Sequence, residues 1–235
     1  MELTAAAGNV PIVREEFERE SLGDRAYRVI KDMIITRELE PSAPVPESVL
    51  AKSLGISRSP IKAALTRLHK DGMVVGEAWK VPRVAPLDAK YVTNVYEVRR
   101  SLESLAATLS LAHLTDDQIA DFKREVAAAR KQMKAGSLDE IRAAHYTFNT
   151  LIADHCDNEL LQVMVQGLQD HLARIREAGP EDDLAWLTRQ AEFLREKAQA
   201  LEARDPQRLA AAVTEHLDAF RERVLDAWDG AGARA

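Results

Sequence analysis

One cysteine, Cys156, stands alone among 235 residues. It can form no internal disulfide and belongs to no CxxC zinc pattern, so neither a stapled fold nor a cysteine zinc module is available. No apolar run reaches the roughly 18 residues that would read as a membrane span. The N-terminal stretch MELTAAAGNVPIVREEFERE lacks the basic start and apolar core of a secretory signal, which leaves the cytoplasm as the expected compartment. Also missing are a phosphate-binding glycine loop, a nucleophile beside a base and a complete set of metal ligands, and these gaps argue against an enzyme.

What is present is ordinary in bulk and uneven in distribution. A hydrophobic fraction of 46% with 30% charged residues fits a globular chain, and the length suits two domains that each bury a core. The net charge is −6, yet its parts differ. Residues 1–20 hold two Lys/Arg against five Asp/Glu and read as a flexible arm. Residues 21–86 hold eleven against seven, a net of +4, and residues 87–235 hold 19 against 26, a net of −7. Phosphate contacts need local positive charge rather than a basic whole protein, so residues 21–86 are the segment suited to nucleic acid.

Within that segment, AYRVIKDMIITREL spaces Ala26, Ile30, Met33 and Ile34 as one face of a helix. Glu40-Pro41-Ser42-Ala43-Pro44 should end it, because proline biases its predecessor away from helix. Next comes VPESVLAKSLGISRSPIKAALTRLHKDGM, from Val45 to Met73. Pro46 can open a short helix that buries Leu50, Ala51 and Leu54, and Gly55 ends it. Ser57 can cap a second helix, with Ile61, Leu65 and Leu68 as its buried stripe and Arg58, Ser59, Lys62 and Thr66 on the opposite face. A short helix, a glycine turn and a helix with small polar and cationic groups facing out is the pattern of a helix-turn-helix reader of the DNA major groove. Two β-prone runs, Met73-Val74-Val75 and Val81-Pro82-Arg83-Val84, bracket Gly76-Glu77-Ala78-Trp79-Lys80 and predict a hairpin, hence a winged helix.

The run LAKSLGISRSPIKAALTRLHKDGMV resembles the GntR-type repressor signature, with its leucine-alanine pair, glycine turn, Ser-Arg-x-Pro and following basic residue. VYEVRRSLESLAATLSLAHLT, HYTFNTLIADHCDNELL and ARDPQRLAAAVTEHLDAF are similar to the all-helical effector domain (FCD type) of the FadR branch. The resemblance implies a mainly α protein: a winged helix-turn-helix over 21–86 and a ligand-binding and dimerisation domain over 87–230. It implies a homodimeric regulator of transcription, most often a repressor, that reads a double-stranded DNA operator. Ser48, Ser57, Arg58, Ser59, Lys62, Thr66 and Lys80 become the candidate DNA contacts. Ser48 stands where relatives often have arginine, Lys62-Ala63 where Arg-Glu is usual, and Val81 where the wing tip usually has glycine. These departures imply a base preference and a wing contact of the chain's own.

After Pro86 helical pattern resumes almost at once, so the linker is short and the two domains are expected to be mechanically coupled. Six segments follow, roughly 88–112, 116–135, 138–155, 158–178, 182–203 and 206–228, broken at Thr115, Gly136-Ser137, Asp157-Asn158, Gly179-Pro180 and Asp205-Pro206. Six helices resemble the VanR subgroup. In the first, Arg99 lies in line with Val92, Val95, Tyr96, Leu102, Ala106 and Leu109, and a guanidinium on an apolar face needs a partner. In the third, His145 shares the stripe of Ile141, Phe148 and Ile152, with Asn149 one turn on. In the last, His216 lies among Leu209, Val213, Phe220 and Val224.

Taken singly, each of these is more often a satisfied core residue, and Arg99 can pair with Glu103 one turn away. Together, inward polar groups from facing helices are how a bundle builds a ligand or metal site. In many relatives of the resembled branch this bundle holds a divalent metal such as zinc, through positions that here read His145, Asn149, Leu194 and His216. Leu194 breaks that pattern, because two imidazoles and an amide oxygen fall short of a zinc site. His113, His155 and Cys156, near helix ends, read as surface or cap residues. The leading expectation is a metal-independent sensor of a small organic anion, a carboxylate held by Arg99, His145, Asn149 and His216. The alternatives are a metal-dependent sensor using His145 and His216, a small helical enzyme using the same pair as acid and base, and an architectural DNA-binding protein with no effector.

Overall fold

A computed structural model describes residues 21–77, 80–134 and 139–232, divided into two units, Met1–Ala85 and Pro86–Ala235. The expected arm over 1–20, the wing tip at Trp79 and the break at Gly136-Ser137 lie outside the described residues.

In the first unit α1 spans Leu22–Ile35, α2 Glu47–Leu54 and α3 Arg58–Lys70. Ser21 caps α1 by accepting from the Asp24 amide, and the helix buries Ala26, Tyr27, Ile30 and Ile34 against the Ile61, Ala64, Leu65 and Leu68 stripe of α3. The first helix ends earlier than its pattern suggests. Arg37 turns left-handed at φ 64°, and the Leu39 amide folds back to the Met33 carbonyl at 2.8 Å, so Leu39 joins the core from a turn. Gly55, at φ 66°, supplies the left-handed residue between α2 and α3.

The wing is a pair of two-residue strands, β1 Val74–Val75 and β2 Arg83–Val84, antiparallel with Val74 opposite Val84. It is shorter than the two apolar runs predict, since Pro82 has no amide to donate. Its second edge comes from before α2. Ser42 donates to the Val84 carbonyl, Val84 to Ala43 and Val45 to Pro82, and Pro44 bridges Arg83.

The second unit is all helical: α4 Ala89–Ser110, α5 Asp116–Lys134, α6 Asp139–Asp154, α7 Glu159–Gly167, α8 Gln169–Glu177, α9 Leu184–Glu202 and α10 Pro206–Gly232. Side-chain caps start four of them, Asp88 accepting from Tyr91, Asn158 from Leu161, Asp183 from Trp186 and Asp205 from Arg208. Thr115 and Gln118 form a reciprocal capping box at α5. The segment 158–178, expected as one helix, is two. Gly167 weakens the turn, and the Leu168 amide bonds the carbonyl three residues back, at Val165, instead of four. Helix α4 packs on α6, α7, α8 and α10, while α9 packs on α5, α6 and α10. Val92, Phe148, Ile152, Leu187, Leu194, Leu201, Leu209 and Val213 fill the space between. Among the described residues the buried polar side chains gather chiefly where α4, α6, α9 and α10 converge, with Arg174 on α8 apart from them.

Candidate functional site

Two sites follow from the sequence, one in each unit. On α3 the buried stripe leaves Ser57, Arg58, Ser59, Lys62 and Thr66 exposed. Ser57 occupies the N-cap position of α3, but its side chain makes no capping hydrogen bond, contrary to the expectation that it caps. Its hydroxyl is therefore available at the positive end of a helix whose first amides lack partners, a place suited to a phosphate oxygen. Neither Arg58 nor Lys62 forms an ion pair within the described residues. The Thr66 hydroxyl donates to the Lys62 carbonyl at 2.8 Å, so it presents its methyl group and a lone pair outward. Ser48 is exposed on α2. Lys80 is exposed and pairs with Glu77 at 2.7 Å. Arg67, further along α3, lies 3.9 Å from the Tyr27 ring centre and pairs with Asp24 at 3.3 Å, which ties α1 to α3.

In the second unit Arg99, His145 and His216 do converge. Arg99 Nε donates to Glu103 Oε1 at 2.6 Å and both side chains are buried. Burial alone would lower the guanidinium's pKa, and the Glu103 carboxylate overcomes this and raises it. Arg99 therefore already has the carboxylate that its position demands. The imidazoles of His145 and His216 stack at 4.4 Å between centres. His145 Nε2 donates to the Gln190 carbonyl at 3.2 Å, and His216 Nε2 pairs with Gln190 Oε1 at 2.9 Å.

The remaining nitrogen of His216, Nδ1, lies 2.9 Å from the ammonium of Lys197. Since an ammonium only donates, His216 is the neutral tautomer that carries its proton on Nε2. Burial, reinforced by Lys197, holds both histidines well below their ordinary pKa, so neither supplies the positive charge expected of it. Lys197 does. It is 1% exposed and sits 4.4 Å from the Phe148 ring centre; burial draws its pKa down to about 7, with Glu103 opposing and Arg99 assisting.

Lys197 and Gln190 are the site residues that sequence reasoning missed. The signal was the one that exposed Arg99, a polar residue at a buried helical position. The expected apolar stripe of α9, Leu184, Leu187, Ala191, Leu194, Ala198 and Leu201, runs between them, although Leu184 is exposed at the helix start. Asn149 lies one turn beyond His145, and its Oδ1, with His145 Nδ1 and Gln190 Nε2, is closed off from solvent with no hydrogen-bond partner among the described residues.

This donor set does not suit a divalent metal. Leu194 is fully buried core, the Nδ1 lone pair of His216 is occupied by an ammonium, and a second cation beside Lys197 would be repelled. Among the described residues no group of three or more His, Cys, Asp and Glu side chains could hold a metal. Cys156, expected as a surface or cap residue, is buried and donates to the Ala153 carbonyl at the end of α6. His155 bridges Gln118 and the Leu151 carbonyl, and His113 lies 3.8 Å from Asp157. Another buried cation, Arg174, donates to the Tyr91 hydroxyl at 3.1 Å, which also bonds His171, joining α4 to α8.

A winged helix-turn-helix unit followed in one chain by a helical bundle with a polar centre defines a class, the DNA-binding regulators that carry a separate ligand domain. Residues 22–78 match the family of bacterial regulatory proteins, gntR family, and residues 94–219 match the FCD domain. The chain belongs to the GntR family of transcriptional regulators, in its FadR-type branch with an FCD domain. Among its relatives are the HTH-type transcriptional regulator YdhC of Bacillus subtilis, 30% identical over 63% of this chain and 68% of that one. The HTH-type transcriptional repressor GlaR of Escherichia coli is 27% identical over 81% and 90% respectively. The structure of E. coli McbR/YncC shares the fold at 20% identity with a TM-score of 0.61, covering 87% of this chain and 98% of that one. A GntR regulator from Rhodococcus sp. RHA1 does so at 18% identity with a TM-score of 0.62, covering 88% and 99%. Among the described residues no helix is long and apolar enough to cross a membrane.

Proposed function

We propose that the protein is a homodimeric cytoplasmic repressor, not an enzyme, that reads a double-stranded DNA operator through α3 and responds to a small carboxylate bound in its FCD domain. The observation that carries the reading is the exposed face of α3. Two cations with no ion pair among the described residues, Arg58 and Lys62, share the helix whose N-cap residue, Ser57, makes no capping hydrogen bond. Ser59 and Thr66 are exposed on the same helix, Ser48 is exposed on α2, and Lys80 belongs to the wing. The repressor role is supported by relatives named as repressors. The sensing role is supported by the inward polar groups Arg99, His145, Asn149 and His216, the rings of His145 and His216 both hydrogen-bonded to Gln190. A ligand can act only by binding one state of the protein more tightly than the other, so effector and operator must weaken each other's binding reciprocally.

The test is titration of the operator at fixed salt with Arg58→Ala and Lys62→Ala. Arg58→Ala is expected to lose about 1–3 kcal/mol and relax base preference at one position per half-site, while Lys62→Ala mainly flattens the salt dependence. Unchanged affinity and salt slope in both variants would remove α3 from the interface.

A further inference from the structure

The charges in the centre of the bundle do not balance. From α4, Arg99 and Glu103 face the cluster and cancel each other at 2.6 Å. From α6 come His145 and Phe148, and from α10 His216, all without charge. The Lys197 ammonium remains, and its contacts within the described residues are an imidazole nitrogen at 2.9 Å and an aromatic ring at 4.4 Å. Among the described residues no carboxylate lies within ion-pairing distance of it, and Glu103, already paired with Arg99, acts on it only at longer range. A buried charge with no direct ion pair is strongly unfavourable, and an ammonium that spends one of its three N–H donors has two left over.

The neutral groups nearby are unmatched in a complementary sense. Gln190 Nε2 is a donor with no acceptor, while His145 Nδ1 and Asn149 Oδ1 are acceptors with no donor. Because His145 commits its proton to the Gln190 carbonyl through Nε2, Nδ1 can only accept. A ligand that met all of these needs would bring an anion for Lys197 and Gln190 and a hydroxyl for His145 or Asn149.

We propose that Lys197 is the anchor for the effector's carboxylate in place of a metal ion, and that the effector is a hydroxycarboxylate whose hydroxyl is accepted by His145 or Asn149. This rests on the reading of the FCD domain as an anion sensor and assigns to Lys197, rather than to Arg99, the charge that the ligand neutralises.

The experiment is calorimetry on the full chain, stripped of metal by a chelator, with 2-hydroxy acids of two to six carbons, each paired with its deoxy analogue. Lys197→Met and Lys197→Arg are measured alongside. Lys197→Met puts an unbranched apolar chain in the same space and is expected to fold with an unchanged circular dichroism spectrum. The expected result is that a hydroxy acid binds the parent protein about tenfold or more tighter than its deoxy partner. Lys197→Met should then lose about 10- to 100-fold, the range for a charge-assisted hydrogen bond, and Lys197→Arg should keep part of the affinity. Binding that survives Lys197→Met overturns the anchor while leaving the anion sensor standing. Equal affinity for hydroxy and deoxy partners overturns the hydroxyl contact. Binding of none of the acids to the parent overturns the sensor reading and this proposal with it, and binding that returns only with added zinc would do the same for the metal-free assignment.

Discussion

Lys197 and the two histidines are all held below their ordinary pKa in the folded protein, and this fixes how its stability should depend on pH. His145 and His216 resist protonation in the folded state, chiefly because they are buried, whereas in the unfolded chain they take up protons near pH 6.5. The unfolded state therefore gains protons first as pH falls, and stability present above about pH 6.5 is lost below it. Lys197 has a folded pKa of about 7 against 10.5 unfolded. Between those values the unfolded chain again holds more protons, so stability rises as pH climbs from about 7 toward 10.5. Thermal melting across pH 5–10 should show a shoulder on the alkaline side that Lys197→Met abolishes, and an acid-side loss that it leaves in place. A flat alkaline limb in the parent protein would contradict the buried, unpartnered ammonium. At this scale the sequence was half legible. Arg99 and Glu103 announce their pairing by sitting one turn apart on one helix. The Lys197–His216 contact joins residues of two helices, and whether a lysine at the border of an apolar stripe turns inward depends on the helix packed against it.

Helices α2 and α3 depend on a single backbone turn. Gly55 is left-handed, and a Cβ there would meet nothing within 4 Å, so the whole cost of a side chain at this position is conformational. Gly55→Ala is expected to destabilise the first unit by about 1–2 kcal/mol, and Gly55→Asn by less, because asparagine tolerates that region better. Urea unfolding followed through the first unit measures this, and an unchanged midpoint for Gly55→Ala would mean that the turn relaxes. Helix starts and stops were readable from one sequence because they are local chemistry. Gly55 and the capping residues Asn158 and Asp205 all stand at breaks that the sequence predicts. The break at Leu168 was not readable, because Gly167 within a helical pattern more often passes through uninterrupted. Nor was the early end of α1, which depends on Leu39 folding back onto a core contributed by other elements.

At the scale of the molecule, two patterns of burial follow one another along the sequence, each with its own core, and each declares its fold class separately. Their charges also differ in sign, +4 over 21–86 and −7 over 87–235. Operator affinity should therefore fall steeply with salt, since the basic unit exchanges counterions with phosphates. One winged helix reads only a few base pairs, and the proposed homodimer would extend the reading to two half-sites of an inverted repeat. Light scattering at micromolar concentration should give the mass of two chains, about twice 26.1 kDa. A single-chain mass together with full operator affinity would reject the dimer. Association and ligand chemistry were the least legible properties. They depend on surfaces and charge balances assembled from distant residues, whereas a helix-turn-helix is written in one continuous run.

The strip from Ser42 to Val45, which supplies the wing's second edge, bears on how the first unit comes apart. The amides of Ser42, Val45 and Val84 are all held across this junction, and Val45 leads directly into Pro46 at the start of α2. The wing cannot peel away without loosening the entry to the helix-turn-helix. These three amides should therefore exchange with deuterated solvent together, as one cooperative opening. A bound operator that pins α3 should slow all of them at once, including Val84, which lies on the wing rather than on the reading helix.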